Sequence, residues 1–127
     1  MITPADMAKS GSEDGEQLAL IQWCALSNYP ELKWLHHSPN GGSRNKREGA
    51  KFKAMGVKRG FPDLILLLPC RQYAGLLIEL KKIKGGVVSS EQDDWQTHLN
   101  EVGYYATVCK GWIEAVSCLE WYLKLER

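Results

Sequence analysis

Asp63, Glu79 and Lys81 are residues whose types and spacing could do chemistry together in this 127-residue sequence. Asp63 follows Pro62 and opens the apolar run DLILLL, while Glu79 and Lys81 interrupt a second run, GLLIELK. Taken singly, each charge is an ordinary strand-end residue, and only the combination is specific. Alternation along a strand puts positions 79 and 81 on one face and Ile78, Leu80 and Lys82 on the other. Positions 63 and 79 are equidistant from residue 71, in the middle of the connection, so a symmetric hairpin sets Asp63 opposite Glu79. Cross-strand neighbours have Cβ atoms about 4.5 to 5.5 Å apart, close enough for two carboxylates to share a cation. A slip of two residues would set Asp63 opposite Lys81 on the same face, and a slip of one would scatter the group.

Paired carboxylates repel unless a cation or a proton lies between them. Hard oxygen ligands without thiolate or imidazole favour Mg²⁺ or Mn²⁺. A cation there would lower the pKa of a water and offset charge on a phosphate under attack. Lys81 would stand beside that water, to orient it, to accept its proton if its own pKa is depressed, or to stabilise pentavalent phosphorus.

The elements that must hold these residues follow from periodicity. Apolar positions Leu18, Leu20, Ile21, Trp23, Cys24 and Leu26 recur at helical spacing and predict a helix over 13–28, ending before Pro30. Residues 1–12 read as loose. A short strand is expected over 33–37, then the turn-rich SPNGGSRNKREG and a basic stretch that forms a loop or a short helix. Strands over 63–68 and 75–81 should pair antiparallel, because PCRQYA is too short for a crossover. SSEQDDWQTHLNEVG reads as a helix closed by Gly103, YYATVCK as a strand, and the last sixteen residues as an amphipathic helix. The expected fold is α/β, a mixed central sheet flanked by helices in the order α-β-β-β-α-β-α, in a single domain over 13–127.

The overall balance of 16 basic and 15 acidic residues hides an asymmetry. Between positions 44 and 59, Arg44, Lys46, Arg47, Lys51, Lys53, Lys58 and Arg59 face the single acid Glu48. A cationic arm at about 41–60 on a mildly acidic body suggests a polyanionic partner. Four cysteines without C-x-x-C spacing behave as buried free thiols, which suggests a reducing, cytoplasmic setting. The longest apolar run, 64–69, is too short to span a bilayer.

Pro62-Asp63 followed by Glu79-Leu80-Lys81 resembles the PD-(D/E)XK nuclease superfamily. GFPDLILL, GLLIELK, SSEQDDWQTHL and VGYYATVCKGWIEAV, in this order, are similar to its VRR-Nuc branch, the virus-type replication-repair nucleases found alone in phages and bacteria or fused into larger repair nucleases. The resemblance covers about 16–116 and implies a restriction-endonuclease-like core. It also implies metal ligation by Asp63, Glu79 and the Leu80 carbonyl, with Lys81 as the catalytic lysine. An acid on the first helix should contribute, and Glu16 is the matching position. Glu16 is equally an acid favoured by a helix dipole. Gln92 matches the family's helix glutamine, and Ser89-x-x-Gln92 also fits a capping box, two roles that can coexist. Asn40-Gly41-Gly42 fits a turn, and His36, His37 and His98 are assigned to no metal.

The expected activity is Mg²⁺- or Mn²⁺-dependent hydrolysis of DNA phosphodiesters, structure-selective, in replication, repair or recombination. The basic arm, with Lys82 and Lys84, would contact DNA by backbone and shape. A homodimer is expected because one site cuts one strand, with the 38–60 segment and the aromatic last helix as candidate contacts. Two other readings share the residues: a catalytically silent nucleic-acid-binding module, and a restriction-type nuclease that reads a defined sequence.

Overall fold

A computed structural model describes residues 1–39 and 46–126. Helix α1 (Pro4–Met7) and helix α2 (Glu13–Leu26) are followed by a 3₁₀ turn over Pro30–Trp34 and strand β1 (His36–His37). Helix α3 (Lys46–Ala54), strand β2 (Leu64–Leu66), strand β3 (Leu76–Lys81) and helix α4 (Ser90–Glu101) come next. Strand β4 (Tyr105–Lys110) and helix α5 (Trp112–Leu123) end the chain. The sheet order is β1-β2-β3-β4, antiparallel between the first three strands and parallel between β3 and β4. The mixed sheet with flanking helices is the expected α/β architecture. Asn40-Gly41-Gly42 lies outside the described residues.

The N-terminal segment and the first strand differ from expectation, each for a local reason. Residues 4–7 form a turn of helix because Thr3 and Asp6 make a reciprocal capping box and Pro4 pre-sets the first helical φ. The expected strand over 33–37 shrinks to two residues, since Pro30 starts a 3₁₀ turn that holds Lys33 and Trp34. The basic stretch, expected as a loop or a short helix, takes the helical form over Lys46–Ala54 and buries none of its residues.

Alternation in β3 divides the molecule into two layers. Leu76, Ile78 and Leu80 join Leu64, Leu66 and Cys109 in the main core beneath α2 and α5, with Leu20, Leu119 and Tyr122. Each such leucine contributes about 1.5 to 3 kcal/mol by leaving water. Leu77 and Ala106 face the opposite way and pack under α4 through Leu99, Phe61, Ile65, Trp95 and Tyr104. All six β3 residues are buried, so Glu79 and Lys81 lie on the α4 face of a central strand. The Ser89 hydroxyl caps α4 at the Gln92 N–H, and the helix begins there, beside positions 79 and 81. The polar ends of the strands therefore open into a cavity of about 280 Å³, lined among others by Glu13, Asp63, Glu79, Lys81 and Gln92. A larger apolar groove, about 530 Å³, runs along Trp34 and Leu66 to Leu68, apart from these carboxylates.

Candidate active site and metal centre

The hairpin pairs Leu64 with Ile78, Ile65 with Leu77 and Leu66 with Leu76. Continued by one residue, this register sets Asp63 opposite Glu79, the even register that the chemistry requires. The Asp63 carboxylate turns across the sheet, and its Oδ2 accepts the Leu80 N–H at 2.8 Å. On the other flank of β2, the Asp63 carbonyl accepts the Ser38 N–H at 2.7 Å. Asp63 is thus fixed from both neighbouring strands.

Glu79 is 2 % exposed. Burial pushes its carboxyl well above the usual carboxylate range, the adjacent Asp63 adds to the rise, and Lys81 opposes it. The Lys81 Nζ stands 3.7 Å from Glu79 Oε2, and the Gln92 amide donates to the same oxygen at 3.2 Å. Glu79 Oε1 is buried without a hydrogen-bond partner. Such an arrangement costs stability, because a buried charge pair generally holds a fold no better than apolar residues of similar volume.

A third carboxylate comes from the first turn of α2. Glu13, Asp63 and Glu79 each offer an oxygen, and these atoms lie within 4.8 Å of one another. Partial burial raises Glu13 above its ordinary pKa, with Lys81 pulling it down and Asp63 pushing it up. Three carboxylates, one of them Glu79 with a buried unpartnered oxygen, fit a divalent cation such as Mg²⁺ or Mn²⁺. The cluster contains no histidine.

Glu13, not Glu16, is the α2 acid in this cluster. Glu16 is 2 % exposed and its Oε1 accepts the Trp112 N–H at 2.8 Å. That bond satisfies an otherwise orphaned donor at the start of α5, whose N-cap Gly111 has no side chain to do so. The sequence signal for Glu13 was present: it is the first helical residue after the Ser12 cap, where a side chain projects beyond the helix start.

Gln92 closes the capping box and also contacts Glu79. Its Oε1 accepts the Ser89 N–H at 2.9 Å while its Nε2 reaches Glu79. Leu80 meets Asp63 through its N–H, and it lines a second cavity that shares Glu13 and Asp63 with the first.

The basic residues divide by position. Arg44 lies outside the described residues. Lys46, Arg47, Lys51 and Lys53 are exposed on α3, and Lys58, Lys82 and Lys84 are exposed on loops. Among the described residues of the basic arm, Arg59 alone lines the carboxylate cavity. Its position is set by two contacts: its carbonyl accepts the Trp95 indole N–H at 3.1 Å, and Gly60 presses on the start of α4. Gly60 has φ +85°, and a Cβ there would stand 2.5 Å from the Glu91 carbonyl carbon. Only glycine allows that approach.

The four cysteines are free thiols, three of them buried. Among the described residues no helix is long and apolar enough to cross a membrane. The VRR-NUC domain family matches residues 6–112 of the chain. A solved structure described as a VRR_NUC domain protein is 36 % identical with a TM-score of 0.80, over 91 % of this chain and 90 % of that one. No curated protein matches the chain. The family match, the shared fold and the acid-and-lysine site converge on one conclusion: this chain belongs to the VRR-NUC domain family, a nuclease family of the PD-(D/E)XK type.

Proposed function

We propose that the chain is a Mg²⁺- or Mn²⁺-dependent endonuclease that hydrolyses DNA phosphodiesters and selects branched or junction DNA. The observation that carries this reading is the convergence of Glu13, Asp63 and Glu79 within 4.8 Å, with Glu79 Oε1 buried and unpartnered. A divalent cation held there would polarise the phosphate and lower the pKa of a neighbouring water. Asp63 and Glu79 would be its main ligands, joined by Glu13 and by the Leu80 carbonyl.

Lys81 and Gln92 flank Glu79 in the cavity and act on the attacking side. The ammonium stabilises charge that develops on the phosphate oxygens, and the Gln92 amide orients the attacking water. Arg59 at the rim and the α3 lysines and arginine hold the sugar-phosphate backbone, a contact that carries no sequence information. No base-reading element is evident among the described residues, which favours recognition by shape over a defined sequence. Cutting both strands of a junction asks for two sites, and we propose that two chains supply them.

Cleavage of branched and linear DNA by the wild type and by Lys81→Ala, with and without Mg²⁺ or Mn²⁺, tests the reading. A loss of about 10²- to 10⁴-fold is expected for Lys81→Ala, the usual contribution of a proton-transfer or charge-stabilising group. Equal cleavage by Lys81→Ala would sink the mechanism. Tight binding without cleavage under any divalent metal would leave a nucleic-acid-binding module. Sedimentation of the chain with and without DNA decides the pairing.

A further inference from the structure

Asp63 and Glu13 line two cavities. The first also holds Glu79, Lys81 and Gln92. The second, about 260 Å³, is lined by Asp14, Gln17, His37 and Pro39. β1 carries His37 on one flank of β2 and β3 carries Glu79 and Lys81 on the other, while Leu80 of β3 also lines the second cavity. His37 is held in place: its Nδ1 donates to the Asp63 carbonyl oxygen at 3.0 Å, since that oxygen can only accept.

In phosphoryl transfer the attacking and leaving oxygens lie roughly in line with the phosphorus. With Lys81 and Gln92 on the attacking side, the departing oxygen and its nucleotide extend toward His37. The walls there are a poor place for another phosphate, because Glu13 and Asp14 both contribute carboxylates. An amide, an imidazole and a carboxylate suit the edge of a base and the oxygens of a sugar. A base enters a cavity only when it leaves the stack, and that costs least where it is already unpaired.

We propose that the His37 cavity is the subsite for the sugar and base of the nucleotide on the departing side of the cut, received unpaired. This rests on the nuclease reading above and deepens it, since it names the feature of branched DNA that the enzyme selects: an unpaired nucleotide next to the scissile phosphate.

The experiment first maps the cut made by the wild-type chain, then places 2-aminopurine on its departing side. With the full chain carrying Lys81→Ala in Mg²⁺, emission should rise several-fold on binding, because the base leaves its stacked neighbours. Adding Gln17→Ala, or separately His37→Ala, should abolish the rise while DNA anisotropy still reports binding. In the cleavage-competent chain, an unpaired nucleotide at that position should speed cutting by about tenfold, the factor equivalent to 1.4 kcal/mol, and Gln17→Ala should erase the preference. Unchanged emission on a DNA that binds and is cut overturns the subsite and leaves the nuclease reading intact. A wild-type chain that cuts no DNA overturns both.

Discussion

Gln92 links the start of α4 to the buried carboxylate: its Oε1 accepts the Ser89 N–H at 2.9 Å and its Nε2 donates to Glu79 Oε2 at 3.2 Å. One side chain closes a helix cap and orients a candidate metal ligand. The two functions separate by substitution. Ser89→Ala should cost about 1 kcal/mol in denaturant unfolding with little change in cleavage, since it removes only the hydroxyl half of the box. Gln92→Ala should match that loss and also lower cleavage or metal affinity by about 10- to 100-fold, the usual effect of freeing a ligand from its hydrogen-bonded support. Equal cleavage by the two variants would confine Gln92 to capping.

Glu13 and Glu16 should behave oppositely. Mn²⁺ at a hundredfold excess over its Kd should stabilise the wild type by about 2.7 kcal/mol. Glu13→Gln should weaken that response without lowering metal-free stability. Glu16→Ala should leave the part-buried Trp112 N–H unpaired, costing about 1 to 3 kcal/mol in the metal-free chain while the Mn²⁺ response persists. Thermal unfolding of each variant in chelator and in Mn²⁺ checks both halves. A normal Mn²⁺ response in Glu13→Gln would remove Glu13 from the ligand set.

Gly60→Ala should be destabilising by about 1 to 3 kcal/mol, because the new Cβ meets both the unfavourable φ and the α4 backbone. The substitution should also loosen Arg59 and weaken DNA binding. Gly49→Ala is the control, since a Cβ there meets nothing within 4 Å, and it should leave stability equal or slightly improved. Urea midpoints and salt-dependent DNA affinity measure the two effects.

Tyr122 should contribute to the alkaline stability profile. Its hydroxyl donates to the Leu68 carbonyl at 2.7 Å, and burial raises its pKa to about 12, with the Cys70 thiol contributing. A phenol with a raised folded pKa supports the fold fully below its ordinary value of 10.0 and loses that support as pH climbs toward 12. Stability should therefore fall over this window. Tyr122→Phe should be less stable at neutral pH, having lost the hydrogen bond, and should fall less steeply above pH 10. An unchanged alkaline slope would disprove the assignment.

The hairpin was legible in the sequence because its constraints are local. Side chains alternate with period two, the connection is short, and Asp63 and Glu79 are symmetric about residue 71, so the buried faces admit the even register and exclude a slip of one. The Ser89–Gln92 box was legible for the same reason, as both partners lie within one helical turn. The family resemblance rested on these local motifs and on their order along the chain.

Glu13 and Glu16 show where local reasoning ends. They are three residues apart, close enough on a helix for either to face the sheet, and only the docking of α2 against β3 and α5 decides which carboxylate meets Asp63 and which caps Trp112. Arg59 is one of seven bases in its stretch, and its place at the cavity follows from Gly60 pressing on α4, a long-range contact that no spacing encodes. The position of His37 depends on strand order, which sequence neighbours do not specify. The sequence by itself determined the hairpin, its charges and its register, because short-range periodicity and sterics govern them. Tertiary packing alone decided which distant side chains complete the site, because their positions depend on how whole layers dock.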